Sequence, residues 1–236
     1  MEQSGTSALL QGAVQDLASG VVSALSGGDH VTVSGADADD IPSAGLVLPA
    51  VRVLGADLLL PQVLFRTLPD MAELAVFRKA VESFPPRADA APAVRWSHWA
   101  MRRTLRRFEA APDGVMPGDR AQEPDASWLD GASWQFLTHQ LAVLAPLAVP
   151  GEDCAVTEAA RRRPVDLARG FVRAVRRRDW QQAAGAGRWL TLLDGVPPEL
   201  GLETGLDFVE LMGGTDARVT LQVQAARVMR AAGARV

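Results

Sequence analysis

Apolar residues recur along most of this chain in steps of three and four, and proline or glycine closes nearly every such stretch. Leu10, Val14, Leu17, Val21 and Leu25 follow steps of 4, 3, 4 and 4 before Gly27-Gly28, the stripe that one side of an α-helix presents. Leu74, Phe77, Val81 and Phe84 repeat the pattern between Pro69 and Pro85-Pro86. A chain punctuated in this way has little room for a sheet.

The same reading places helices over 7–25, 49–60 and 62–67, the last two opened by Pro49 and Pro61 at first helical positions. Others follow at 69–84, 94–111, 128–144, 165–178, 180–194 and 204–212, with Asp179 capping 180–194. Thr157 is expected to cap a short turn ahead of Pro164, and Thr215 a last helix to about Ala232. Val219, Leu221 and Val223 alternate as a strand does, but the Ala-rich run through Ala226 and Met229 continues without a breaker and favours helix. His30–Val33 alternates weakly and is the candidate for one short strand. The expected fold is all-α, built from antiparallel helix pairs.

Two stretches lack apolar period and carry charge, proline or glycine: 34–43 and 112–126. A third, PPRADAAPA at 85–93, is the best candidate linker. It divides an N-terminal helical region, 1–84, from a C-terminal one, 94–236, although 236 residues also suit a single compact domain.

Cys154 is the only cysteine, so no internal disulfide can form, which favours a reducing compartment. Met1-Glu2-Gln3 supplies no basic n-region, so no signal peptide is expected. The run Leu141–Pro150 is about half the roughly 20 residues of a spanning helix, and Asp57 interrupts Leu46–Leu60. The expectation is a cytoplasmic protein with no membrane contact. Lys79 is the single lysine among 24 basic residues, a bias typical of a GC-rich bacterial genome.

Phosphate-loop, dinucleotide-fingerprint, nucleophile-elbow and HExxH motifs are all absent from the sequence. His30, His98 and His139 lie far apart, with no metal-ligand spacing to one another or to Cys154. Neither a metal nor a cofactor is therefore expected, and a non-enzymatic role is favoured over an enzymatic one. The acidic run Asp37-Ala38-Asp39-Asp40 lacks the glycine turn and distal glutamate of a calcium loop.

Charge segregation is the informative feature. The net charge is −4, yet 95–107 carries five arginines and no acid, and 161–178 carries eight arginines against Asp166. At about 100° per residue, Arg95, Trp96, Trp99, Arg102, Arg103, Arg106 and Arg107 share one side of a helix, opposite Met101, Leu105 and Phe108. Arg169, Arg173, Arg176 and Arg177 share a second face, opposite Leu167, Phe171, Val172 and Val175. Guanidinium interleaved with indole suits carboxylates and phosphates, while acids at Asp113, Asp119, Glu123, Asp125 and Asp130 are candidates to neutralise the first face internally.

The first functional expectation is a non-catalytic adaptor or regulatory protein that binds an acidic protein partner through a helical groove and these basic faces. An overall pI near 5.4 disfavours nucleic acid. The alternative is an enzyme or accessory protein of a biosynthetic pathway. Its pocket would gather Trp96, His98, Arg102 and His139, with a histidine as general base and Arg102 as anion clamp. Gly185 and Gly187 inside a helical run mark close helix–helix approach.

Overall fold

A computed structural model describes residues 2–27, 41–109 and 123–233. Helices account for most of them: α1 (Glu2–Leu25), α2 (Ile41–Leu54), α3 (Leu60–Phe65), α4 (Met71–Ser83), α5 (Pro92–Glu109) and α6 (Trp134–Val143). After these come α7 (Ala155–Arg161), α8 (Pro164–Arg176), α9 (Trp180–Leu190), α10 (Leu202–Gly213) and α11 (Ala217–Gly233). No strand occurs among the described residues, and the fold is all-α. The segment 30–33, and most of 34–43 and 112–126, lie outside the described residues.

Helix α9 is the hub. Every residue from Ala183 to Leu190 is buried, because α6, α8, α10 and α11 pack around it. Glycine makes that possible. A Cβ on Gly185 would stand 2.7 Å from the Ala142 carbonyl oxygen, and one on Gly187 2.5 Å from the Leu206 side chain, distances only a missing side chain permits. Asp179 caps the helix as expected, its carboxylate accepting the Gln182 backbone N–H at 3.2 Å.

Helices on both sides of 85–93 feed one continuous core, in which Phe77 of α4 and Leu59 join Met101 of α5 and Leu190 of α9. Helix α1 buries Val14, Ala18, Val21 and Leu25 against α2 and α11. At that seam Gln15 donates to Asp216 Oδ1 at 2.7 Å and accepts the Ala217 N–H at 2.7 Å.

Several boundaries differ from the sequence reading, each for a local reason. Pro49 lies inside α2 instead of opening a helix; the missing N–H costs one bond to the Gly45 carbonyl, which the rest of the helix tolerates. The expected helix 49–60 ends at Leu54, because Gly55 takes φ +69 and starts a 3₁₀ turn, Gly55–Leu59, that is wholly buried. Helix α6 begins at Trp134, not Trp128, since the Ser133 hydroxyl accepts the Phe136 N–H and fixes the start. A short 3₁₀ turn, Ser127–Leu129, precedes it.

Thr157 lies inside α7 and is buried. Glu123 caps that helix instead, taking the Ala155 N–H at 2.9 Å from 32 residues upstream. Asp216, not Thr215, caps α11, accepting the Arg218 N–H at 3.0 Å.

Two segments, Gly5–Leu25 and Gly45–Phe65, are long and apolar enough to cross a membrane, at mean hydropathies of 1.2 and 1.6. Both exceed the ten-residue run expected from sequence, because the apolar character continues past isolated charges, Asp16 in the first and Arg52 and Asp57 in the second. The second is 61% buried, as the core helices of water-soluble proteins also are.

Candidate functional site

The first basic face is divided by its helix. Trp96 and Trp99 of α5 are 0% and 5% exposed, so the indoles belong to the core and not to an outward arginine–tryptophan surface. They meet edge to face at 5.1 Å, and Trp96 donates to the Asp125 carbonyl at 3.0 Å. The guanidinium of Arg103 lies 5.1 Å over the Trp99 ring and pairs with buried Glu152 at 2.5 Å, while Arg107 takes its other oxygen at 3.0 Å. Arg95 donates to the Ala88 carbonyl, and Arg106 to the Arg102 carbonyl at 3.4 Å. Arg102 remains exposed.

The second face keeps its charge in solvent. Arg169 and Arg173 lie 5.7 and 5.5 Å from the half-buried Trp134 ring of α6. Arg176, Arg177 and Arg178 continue this exposed surface. Arg178 takes φ +58 and turns the chain from α8 into α9, at a position where glycine is the usual occupant. Arg169 has only a loose 3.8 Å contact with Asp166, which is engaged by Arg163 at 2.6 Å. Arg173, Arg176, Arg177 and Arg178 have no acidic partner among the described residues.

A cleft of about 300 Å³ opens where the ends of α2 and α6 meet the starts of α9 and α11. Val53, Leu54, Ala142, Val143 and Pro146 make its apolar wall, and His139, Gln181, Gln182, Arg218 and Gln222 its polar one. Asp57 lies at the floor. Its Oδ1 accepts from Arg188 at 2.7 Å and its Oδ2 from Gln222 at 2.6 Å. Arg188, 0% exposed, also donates to Gln222 at 2.8 Å and to the Ala148 carbonyl at 3.0 Å. An ion pair so placed costs about 3–5 kcal/mol when one partner is removed.

The residues expected to form an enzymatic pocket are not brought together around that cleft. His139 lines it, but Trp96, His98 and Arg102 do not. His98 is buried in α5; burial first, then the nearby Arg52 and Arg102 charges, hold its imidazole below the usual histidine range. Cys154 is buried, its sulfur 3.3 Å from the Thr157 hydroxyl, and burial pushes its thiol up, the condition of an inert cysteine. Among the described residues no group of three His, Cys, Asp or Glu side chains is placed to hold a metal ion.

Asp57, Arg188 and Gln222 were not singled out as site residues from sequence. The available signal was a lone charge inside an apolar run: Asp57 within Leu46–Leu60, and Arg188 within an Ala–Gly–Trp helix. Each such charge needs a buried mate. No protein-family model, curated protein or solved structure matches the chain, so its function is read from these residues alone.

Proposed function

We propose that this chain is a non-catalytic helical adaptor or regulatory protein whose α8 face takes an acidic segment of a partner protein. The observation that carries this reading is Arg169 and Arg173 flanking the Trp134 ring, beside the exposed Arg176, Arg177 and Arg178. Guanidinium groups pair with carboxylates in two-point geometry, and the ring gives the partner an apolar contact between the charges. A net charge of −4 favours protein carboxylates over a polyphosphate backbone, which selects basic domains.

Fluorescence anisotropy of a labelled glutamate-rich peptide tests the proposal, with a short DNA duplex as the competing probe. Arg173→Glu with Arg177→Glu is expected to weaken peptide binding by about tenfold or more, through both lost attraction and new repulsion. Arg102→Glu with Arg106→Glu, on α5, is expected to leave it nearly unchanged. Tighter binding of the duplex than of the peptide, or equal loss from the α5 pair, overturns the reading.

A further inference from the structure

An apolar strip of α10 runs beside the basic turn that closes α8. Phe208, Leu211 and Met212 are 44%, 80% and 48% exposed, and steps of three and four put them on one side of that helix. Single apolar residues scattered over a surface are ordinary; three large ones adjoining on one helix mark a contact surface.

Two contacts fix where the strip lies. The Trp180 ring meets Phe208 edge to face at 6.0 Å, and a Cβ on Gly213 would stand 2.6 Å from the Trp180 Cβ. Trp180 follows Arg178 by two residues, a span of about 7 Å at most. The strip and the exposed turn Arg176–Arg178 therefore share one end of the bundle. Helix direction agrees with this. Leu206 lies at Gly187 and Gly213 at Trp180, so α10 runs opposite to α9; Phe171 also reaches Gly187, so α8 runs opposite to α9 as well. Hence α8 and α10 run alongside each other. Their register is set where the Phe171 ring packs on Gly205, 2.9 Å from where a Cβ would stand. At equal rise per residue, Arg178 comes level with Met212.

Charge divides the two flanks of the strip. Arg176, Arg177 and Arg178 are exposed without an acidic partner among the described residues. Asp179 is the one acid in that turn, and its carboxylate caps α9; three arginines outweigh it. On the other flank Asp207 and Glu210 are held by Arg227, each at 2.6 Å, and Glu203 meets Arg230 at 3.4 Å.

Building on the reading of the α8 face as a site for an acidic protein segment, we propose that this segment is an amphipathic helix. Its apolar side lies along Phe208, Leu211 and Met212, and its carboxylates reach Arg176 and Arg178. A helix gathers apolar residues in steps of three and four on one side and keeps carboxylates on its flank, so it meets both demands within two turns. An extended segment needs a free sheet edge, and no strand occurs among the described residues. An anionic bilayer would press its headgroups against Glu203 and Asp207, whose side chains are 77% and 59% exposed. A second copy would bring its own α10, but there Asp207 and Glu210 are already held by Arg227.

Fluorescence anisotropy of the full chain with two labelled peptides tests the proposal. Both carry the same leucines and glutamates over about three helical turns. In one the leucines recur in steps of three and four; in the other their order is shuffled so that they circle the helix. The patterned peptide is expected to bind about tenfold or more tightly. Leu211→Ser with Met212→Ser is expected to remove that preference and to leave the shuffled peptide unchanged. Arg176→Glu with Arg178→Glu is expected to weaken both peptides by about tenfold or more. Circular dichroism melts check that each variant folds. If the serine pair melts below the parent, Leu211→Ala at the most exposed position replaces it, with the preference reduced by about threefold or more.

Equal affinity for the two peptides, or a preference that survives the change at Leu211, overturns the helical docking and leaves the acidic-segment reading standing. Unchanged binding of both peptides by the arginine pair overturns the two together. Co-sedimentation with phosphatidylserine vesicles that the serine pair abolishes, without a preference for the patterned peptide, gives the strip to a bilayer instead. Self-association in sedimentation velocity that the same pair abolishes gives it to a second copy, and either result overturns the proposal.

Discussion

Helices α5 and α8 carry the two densest arginine runs of the chain, each beside a tryptophan, and the fold treats them in opposite ways. On α5 the indoles turn into the core and Glu152 collects Arg103 and Arg107 from the turn before α7. On α8 the arginines face solvent, and the tryptophan they lie on belongs to a different helix, α6. The lesson is that a run of like charge does not declare its own role. The deciding element is one buried acid elsewhere, and Glu152 stands 45 residues from Arg107.

The contrast breaks most easily at the aromatic rings. Trp99→Ala empties a site that is 5% exposed and is expected to cost about 3–5 kcal/mol in urea unfolding. Trp134→Ala removes a half-buried ring and two cation–π contacts, and is expected to cost about 1 kcal/mol. Equal losses would mean that α6 and α8 close over Trp134 as firmly as the core closes over Trp99.

Acidity sharpens the comparison, because α4, which packs on α5, brings a buried carboxyl with it. Gln62 donates to Glu73 Oε2 at 3.0 Å, and the Oε1 atoms of both residues have no partner among the described residues. A buried carboxylate oxygen without a donor favours the neutral acid, which lowers the cost of leaving it unpaired. Burial, then the Asp70 carboxylate, push Glu73 up to about 7, against the opposing pull of a backbone hydrogen bond.

The folded state therefore binds this proton more tightly than the unfolded chain. Its contribution is complete below about pH 4.5 and is lost as pH rises through about 7. Glu73→Gln is expected to gain stability over the parent across that window, on the order of 2 kcal/mol by neutral pH. A constant difference between the two proteins from pH 4.5 to 8 would refute the assignment. His98 works in the opposite sense, costing stability as pH falls, so the parallel Glu73→Gln comparison is needed to isolate either one.

The smallest effect belongs to the exposed arginines. Arg173→Ala and Arg176→Ala are each expected to change stability by about 0.5 kcal/mol or less. Arg103→Ala, which strips half the pairing from buried Glu152, is expected to cost about 1–3 kcal/mol. Equilibrium urea denaturation of the three variants measures the gap directly.

The helical architecture was legible because it rests on short-range pattern: the stripes of α1 and α4, the Asp179 cap, and the glycines that bring α9 against Ala142 and Leu206. The errors fall where a distant group decides. Nothing near Cys154 announces that Glu123 will cap α7, and nothing near Leu54 announces that Gly55 will turn the chain so that Asp57 meets Arg188, 131 residues away. Helical phase alone also misassigned Trp96 and Trp99. Residues clustered within one arc can still be split between core and solvent when the neighbouring helices cover part of it.

The seam between α1 and α11 sets a condition on how the chain is made. Gln15 finds its partner Asp216 some 201 residues later, so the first described helix emerges from the ribosome long before the last one exists. At about 5–20 residues per second, α1 waits on the order of 10–40 s with α2, α3 and the Gly55–Leu59 turn available to cover it but α11 still to come. A nascent chain in that interval leaves the part of α1 that α11 later covers open to any chaperone that samples apolar helices. Docking of α11 along α1 and against α9 can follow only after that interval, and it joins the first and last described helices.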